Sequence, residues 1–193
     1  MKKYFSILII MLSVVLLKAQ NPFALKLSDA ALSLTKNKVT YDPSYFVIKY
    51  PAGDIPADKG VCTDVVIRAY RKLGIDLQKE VHEDMAKNFS KYPKTWGLKK
   101  PDTNIDHRRV PNLQVFFARY GKSKSTETKP ALYVPGDIVT WLLPENLTHT
   151  GMVVNRKSAD GKRYLIVHNI GKGQVMEDCL FKFKITGHYQ YQK

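Results

Sequence analysis

Apolar positions recur at helical spacing over the first two thirds of the chain and change to strand-like runs in the last third. Ala24, Leu25, Leu27, Ala30, Ala31, Leu32 and Leu34 predict an N-terminal helix within residues 21–40. Tyr41-Asp42-Pro43 breaks that pattern, and the β-forming run Tyr45-Phe46-Val47-Ile48-Lys49-Tyr50 predicts a short strand. A loop with two prolines and a glycine covers 51–59. Val65, Val66, Ala69, Tyr70 and Leu73 then mark the apolar face of a helix, preceded by Gly60 and ended by Gly74. Further helices are expected over 77–89 and over 111–121, the latter with proline near its start and glycine past its end. Residues 93–110 between them are poor in apolar side chains and read as a long ordered surface loop, a type that often carries function.

After a polar and mobile stretch at 123–129, the pattern becomes strand, turn, strand. Runs at 137–143, 149–155, 163–169 and 182–191 are separated by turn signals, among them Ala159-Asp160-Gly161 as a hairpin turn. Helices first and an antiparallel sheet afterwards is an α+β layout, with N-terminal helices packed on a C-terminal sheet. No repeat or low-complexity segment divides it.

Residues 1–19 change the picture of where the protein works. Lys2 and Lys3 precede an apolar run of thirteen residues from Phe5 to Leu17, and Ala19-Gln20 offers a small residue at a cleavage edge. This reads as a secretory signal peptide, too short for a comfortable membrane span. The expectation is a single domain over 20–193, exported to the periplasm or the extracellular space, monomeric and without stable membrane insertion. Without residues 1–19, 28 basic against 17 acidic residues leave a net charge of +11. That balance favours polyanionic partners. Export argues against nucleic acid, and the lysines are spread along the chain, so solvation accounts for most of them.

Cys62 carries the candidate chemistry. It stands in Gly60-Val61-Cys62-Thr63-Asp64-Val65-Val66, at the first turn of an amphipathic helix. Unpaired N–H groups and the positive end of the helix dipole there favour a thiolate, which suits a nucleophile. Cys179 has no such setting, so a Cys62–Cys179 disulfide is the less favoured reading. A nucleophilic cysteine needs a base and a group to hold that base. His149 opens one strand and His168, followed by Asn169, closes its hairpin partner, so antiparallel pairing brings both imidazoles to the same end.

The order of Cys62 at a helix start, Pro135-Gly136-Asp137-Ile138-Val139, His149-Thr150-Gly151-Met152-Val153-Val154 and a polar group on the next strand resembles the NlpC-type cell-wall cysteine peptidases, which share the papain-like core. The Gly60–Val66 motif and the loop over 102–109 look closer still to an uncharacterised family of exported bacterial proteins in that superfamily, described only as a domain of unknown function. The resemblance implies Cys62 as nucleophile, His149 as base and His168 as orienting group, with Asn169 as the alternative. It implies Tyr50 near the oxyanion site, although no aromatic-Gly-Gly sequence follows it. Asp64 replaces the glycine of the peptidases' usual Asp-Cys-Ser-Gly and is placed beside the substrate.

Arg108 and Arg109 offer guanidinium forks to a stem-peptide carboxylate, unless Asp102 and Asp106 brace that loop internally. No His-x-x-x-His or Cys-x-x-Cys spacing appears, so no metal or other cofactor is expected. The implied function is hydrolysis of a peptidoglycan amide, by an endopeptidase or an amidase. The alternatives are a non-catalytic envelope-binding domain on the same scaffold and a hydrolase or transferase of another amide or thioester.

Overall fold

The computed structural model describes residues 21–193, and the signal peptide expected over 1–19 lies outside them. Four helices precede most of the sheet. Helix α1 (Pro22–Leu34) begins where the Asn21 side chain accepts the Phe23 N–H at 2.9 Å, with proline at the first helical position. Helix α2 (Cys62–Lys72) is followed by α3 (Leu77–Asn88), which Asp76 caps by accepting the Gln78 N–H at 3.0 Å. Helix α4 (Val110–Tyr120) closes the helical part. None of these helices is long and apolar enough to cross a membrane.

A two-residue strand β1 (Thr40–Tyr41) pairs in parallel with β2 (Lys59–Gly60), setting Tyr41 opposite Gly60. The remaining strands are β3 (Lys122–Ser123), β4 (Ile138–Leu142), β5 (Thr148–Lys157), β6 (Tyr164–His168), β7 (Val175–Glu177) and β8 (Lys184–Gln190). They form one antiparallel sheet in the order β3-β8-β4-β5-β6-β7. The α+β expectation therefore holds.

Both faces of the central strands are covered, because successive strand residues point to opposite sides. Ile138, Met152, Val154 and Val167 face the helices and pack with Leu27, Val65, Val66, Tyr70 and Phe117. Their neighbours Val139, Trp141, Val153 and Ile166 face the other way, under Tyr133, Cys179 and Leu180. Complete burial of an aromatic such as Phe117 makes truncation there cost about 3–5 kcal/mol. The Pro135-Gly136-Asp137 turn leads into β4 with Gly136 at φ 90°, and a Cβ there would stand 2.5 Å from the Ala24 carbonyl oxygen. Turn and first helix are thus in direct contact.

Three local expectations are corrected. Residues 45–50 form no strand, because side chains take their backbone groups. Asn104 accepts the Ile48 N–H at 2.9 Å, and Gln78 donates to the Lys49 carbonyl at 2.8 Å. Tyr45 and Val47 are exposed, as a paired and covered strand would not leave them. The stretch 123–129 is tied down: Lys124 donates its N–H to His188 O at 2.8 Å, and the Ser125 carbonyl is 2.7 Å from His188 Nδ1. Strand β7 lies between two predicted runs, and its three residues are too few to show a period.

Candidate active site

Cys62 is the first residue of α2 and is 7% exposed. Its sulfur faces the backbone N–H of Thr150, the residue after His149, and the N–H groups of Thr63 and Cys62 itself. Burial pushes the thiol up to about 11, and the Asp64 carboxylate adds to that, while the three N–H groups pull the other way. Desolvation outweighs the helix start. The resting sulfur is a thiol, not the thiolate expected from its position. Among the described residues no hydrogen bond joins it to His149, and general-base contacts commonly tighten only once substrate is bound.

The two residues after Cys62 fasten the helix start to the loop before α4. Asp64 accepts the Val61 N–H at 2.7 Å, satisfying the N-cap backbone from the third helical position. The same carboxylate takes a forked pair from Arg108, Nε to Oδ1 at 3.0 Å and Nη2 to Oδ2 at 3.2 Å. Thr63 donates its hydroxyl to the Arg108 carbonyl at 3.0 Å. Asp64 and Arg108 were both expected at the substrate, and instead they hold each other in the interior. Arg109 lies over the Trp96 ring, its guanidinium carbon 4.1 Å from the centroid. Arg108 is thus braced by Asp64 of α2 rather than by Asp102 or Asp106.

A chain of imidazoles starts at His149, the neighbour of Thr150 on β5, on the sheet face that carries Trp141 and Ile166. Trp141 pairs with His149 across β4 and β5, and their rings lie 5.8 Å apart. His149 Nε2 is 2.8 Å from His168 Nδ1, and His168 Nε2 is 3.2 Å from Glu177 Oε2. Strand register explains the meeting: Gly151 sits opposite His168, and a Cβ at 151 would stand 2.7 Å from Ile166 Cγ2 and 3.0 Å from His168 Cβ. The missing side chain makes room for the second imidazole.

An ionised carboxylate only accepts hydrogen bonds, so Glu177 assigns every proton in the row. His168 Nε2–H donates to Glu177, which leaves His168 Nδ1 to accept from His149 Nε2–H. In this arrangement the lone pair of His149 lies on Nδ1. Burial pushes His149 down to about 3, with His168 adding to the shift, and burial also lowers His168 against the opposing pull of Glu177. Both imidazoles rest neutral.

Asn169 does not join this row. It is fully buried, donates its side-chain N–H to the Gly60 carbonyl at 3.0 Å and accepts the Gly171 N–H at 3.1 Å. It ties the end of β6 to the residue pair ahead of Cys62. Tyr50 is also elsewhere: its ring meets His82 at 5.0 Å, and burial, Glu83 and Asp76 raise its phenol. Tyr41 is the tyrosine beside the site. Its phenol is raised by partial burial and by Cys62 and Asp64, and the residue is 41% exposed. Sequence reading missed Tyr41 because β1 is two residues long, and missed Glu177 because β7 is three.

Both cysteines are free and buried, so no disulfide joins them. Cys179 places its sulfur 3.7 Å from His168 Nε2.

The family model described as a domain of unknown function, DUF1287, matches residues 28–191. The chain is 50% identical over 167 residues to an Escherichia coli (strain K12) protein called Uncharacterized protein YijF, covering 86% of this chain and 81% of that one. The solved structure of NlpC1 from Trichomonas vaginalis is similar with a TM-score of 0.45 and 14% identity. That similarity covers 86% of this chain and spans 45% of the NlpC1 chain.

Proposed function

The chain belongs to the DUF1287 family, and from that premise we propose that it is an exported papain-like cysteine hydrolase that cleaves an amide bond in peptidoglycan. One observation carries the reading: Cys62 opens a helix against the Thr150 N–H, while the adjacent His149 ends a row of hydrogen bonds running through His168 to Glu177. A thiol, a base with its lone pair set free and a carboxylate terminus are the parts of a nucleophile–base–orienter arrangement. The peptidoglycan substrate comes from the NlpC-type order of motifs and from the basic charge.

In this mechanism His149 Nδ1 takes the Cys62 proton as the sulfur–carbon bond forms. The positive charge on His149 is supported through His168 by Glu177. The Cys62 backbone N–H and the Tyr41 hydroxyl donate to the oxyanion. As the tetrahedral intermediate collapses, the carbon–nitrogen bond breaks and His149 gives its proton to the leaving amine. Water, deprotonated by His149, then cleaves the thioester and restores the thiol.

The deciding experiment incubates purified protein with peptidoglycan and identifies released fragments by mass spectrometry. Fragments from the wild type and none from Cys62→Ala support the reading. Undiminished release by Cys62→Ala rules out the mechanism. A second reading, an envelope-binding domain without catalysis, draws on the buried, protonated sulfur. Retention on peptidoglycan with no new fragments would favour it.

A further inference from the structure

We propose that His168, Glu177 and Cys179 form a binding site for a borderline-soft divalent cation, with zinc the best fit, at the His168 end of the imidazole row. One ligand atom from each residue lies within 4.8 Å of the other two. Two of the separations are His168 Nε2 to Glu177 Oε2 at 3.2 Å and to Cys179 Sγ at 3.7 Å. A tetrahedral zinc ion, with bonds of about 2.3 Å to sulfur and about 2.0–2.2 Å to nitrogen and oxygen, spaces N and O about 3.4 Å apart and N and S about 3.6 Å apart. Two edges of the coordination tetrahedron are therefore already in place. The third closes by rotation of Glu177, whose side chain is 36% exposed.

The fold presents the three groups together. Ile166 pairs with Glu177 across β6 and β7, so His168, two residues on from Ile166, shares its face of the sheet. Cys179 follows Glu177 by two residues and packs under the same face, with Trp141 and Leu180. Imidazole and cysteine are buried, which leaves the Glu177 side as the way in and as the place for a fourth, exchangeable ligand. A thiolate, an imidazole and one carboxylate suit zinc, and they do not suit calcium or magnesium, which take oxygen ligands.

The site has a consequence for the base, and that consequence rests on the proposed hydrolase reading. An ion on His168 Nε2 displaces the hydrogen that Glu177 accepts, so a neutral His168 carries its hydrogen on Nδ1. Nδ1–H then donates to His149 Nε2, and the hydrogen of His149 moves to Nδ1. The lone pair meant for the Cys62 proton is lost. The cation switches the enzyme off without touching its nucleophile, and the Cys179 proton is released to solvent.

Cobalt(II), titrated into chelator-treated purified protein, tests the site by its absorption spectrum. We expect one equivalent bound, with tetrahedral d–d bands and a sulfur-to-metal charge-transfer band that zinc abolishes by competition. Cys62→Ala keeps the charge-transfer band and Cys179→Ala loses it, while Glu177→Gln weakens binding tenfold or more. Circular dichroism verifies that each variant is folded. Absence of the band in the wild type, or its loss in Cys62→Ala with retention in Cys179→Ala, overturns the site. On peptidoglycan, zinc is expected to slow wild-type turnover at least tenfold and to lose that effect in Cys179→Ala. Equal inhibition of the two proteins overturns the switch. A wild type that binds cobalt through Cys179 but releases no fragments disproves the hydrolase reading and leaves the metal site standing.

Discussion

His149 and His168 are joined nitrogen to nitrogen at 2.8 Å across adjacent strands, with the far nitrogen of His168 turned to Glu177. A row of this kind has a polarity, and one end decides it. Glu177 fixes which nitrogen of His149 can receive a proton, although the ring of His168 stands between them.

Glu177→Gln should therefore slow hydrolysis out of proportion to its size. The Gln amide can donate to His168 Nε2, which reverses both tautomers. We expect kcat to fall about tenfold to a hundredfold with KM little changed, less than the roughly 10⁴-fold loss seen when the carboxylate directly on a catalytic imidazole is neutralised. Steady-state kinetics on soluble cell-wall fragments measures the split. A raised KM with unchanged kcat would make Glu177 a surface contact and nothing more.

Tyr41→Phe should lower kcat about 10²-fold while leaving thermal stability nearly unaltered, because a half-exposed hydroxyl at an oxyanion matters only in the transition state. Tyr50→Phe should leave kcat as it is. Equal kinetics for the two variants would remove Tyr41 from the mechanism.

Arg108→Ala strands the Asp64 carboxylate, whose ion-paired side chains are 2% and 3% exposed. The expected loss is about 3–5 kcal/mol in urea unfolding. Replacing both partners with apolar residues should cost less than Arg108→Ala alone. If the single variant unfolds at the wild-type midpoint, the pair is not what secures the helix start.

Thiol labelling reports the resting state of the sulfur. Burial holds Cys62 at about 11 and Cys179 at about 12, so alkylation of the folded protein at pH 7 should be slow at both. Unfolding should expose two reactive thiols. A labelling midpoint for Cys62 below pH 8 would reveal a standing thiolate–imidazolium pair.

Stability should fall in mild acid. His149 and His107 are both pushed down to about 3 by burial, while unfolded histidines titrate near 6.5. Below pH 6.5 the unfolded state binds protons that the native state refuses. The stability these residues contribute above 6.5 is thus lost progressively towards pH 3, at up to about 1.4 kcal/mol per pH unit each. Asp106, raised by burial to about 6, acts in the opposite sense, contributing fully below 3.8 and losing its contribution as pH rises through 6. With His168 lowered in the same sense, three groups against one leave the protein less stable at pH 5 than at pH 7. Urea midpoints at the two values measure this, and His107→Gln should flatten the difference.

Periodicity made most of the frame legible. Helix α2 announced itself through five apolar residues on one face, and β5 and β6 through apolar runs on either side of a turn. Those three elements carry Cys62, His149 and His168, so the centre of the site was within reach of pattern reading. Its supports were not. Tyr41 lies on a two-residue strand whose parallel partner is nineteen residues on, and Glu177 on an edge strand of three. Arg108 finds Asp64 across 44 residues, and no local spacing encodes that meeting. The run at 45–50 misled for a related reason: β-forming side chains make a strand only where a neighbouring backbone is free to pair, and here Asn104 and Gln78 reach it first.

Position 151 has a consequence of its own. Even the single methyl of alanine would push against Ile166 and the stem of His168, wedging the hairpin open at the point where the two rings touch. A chain altered only there could keep its helices, its sulfur and both histidines and still lose the hydrogen bond that joins the two rings. An inventory of functional groups would score such a variant as intact, so the most economical way to silence this protein is to add an atom where none belongs.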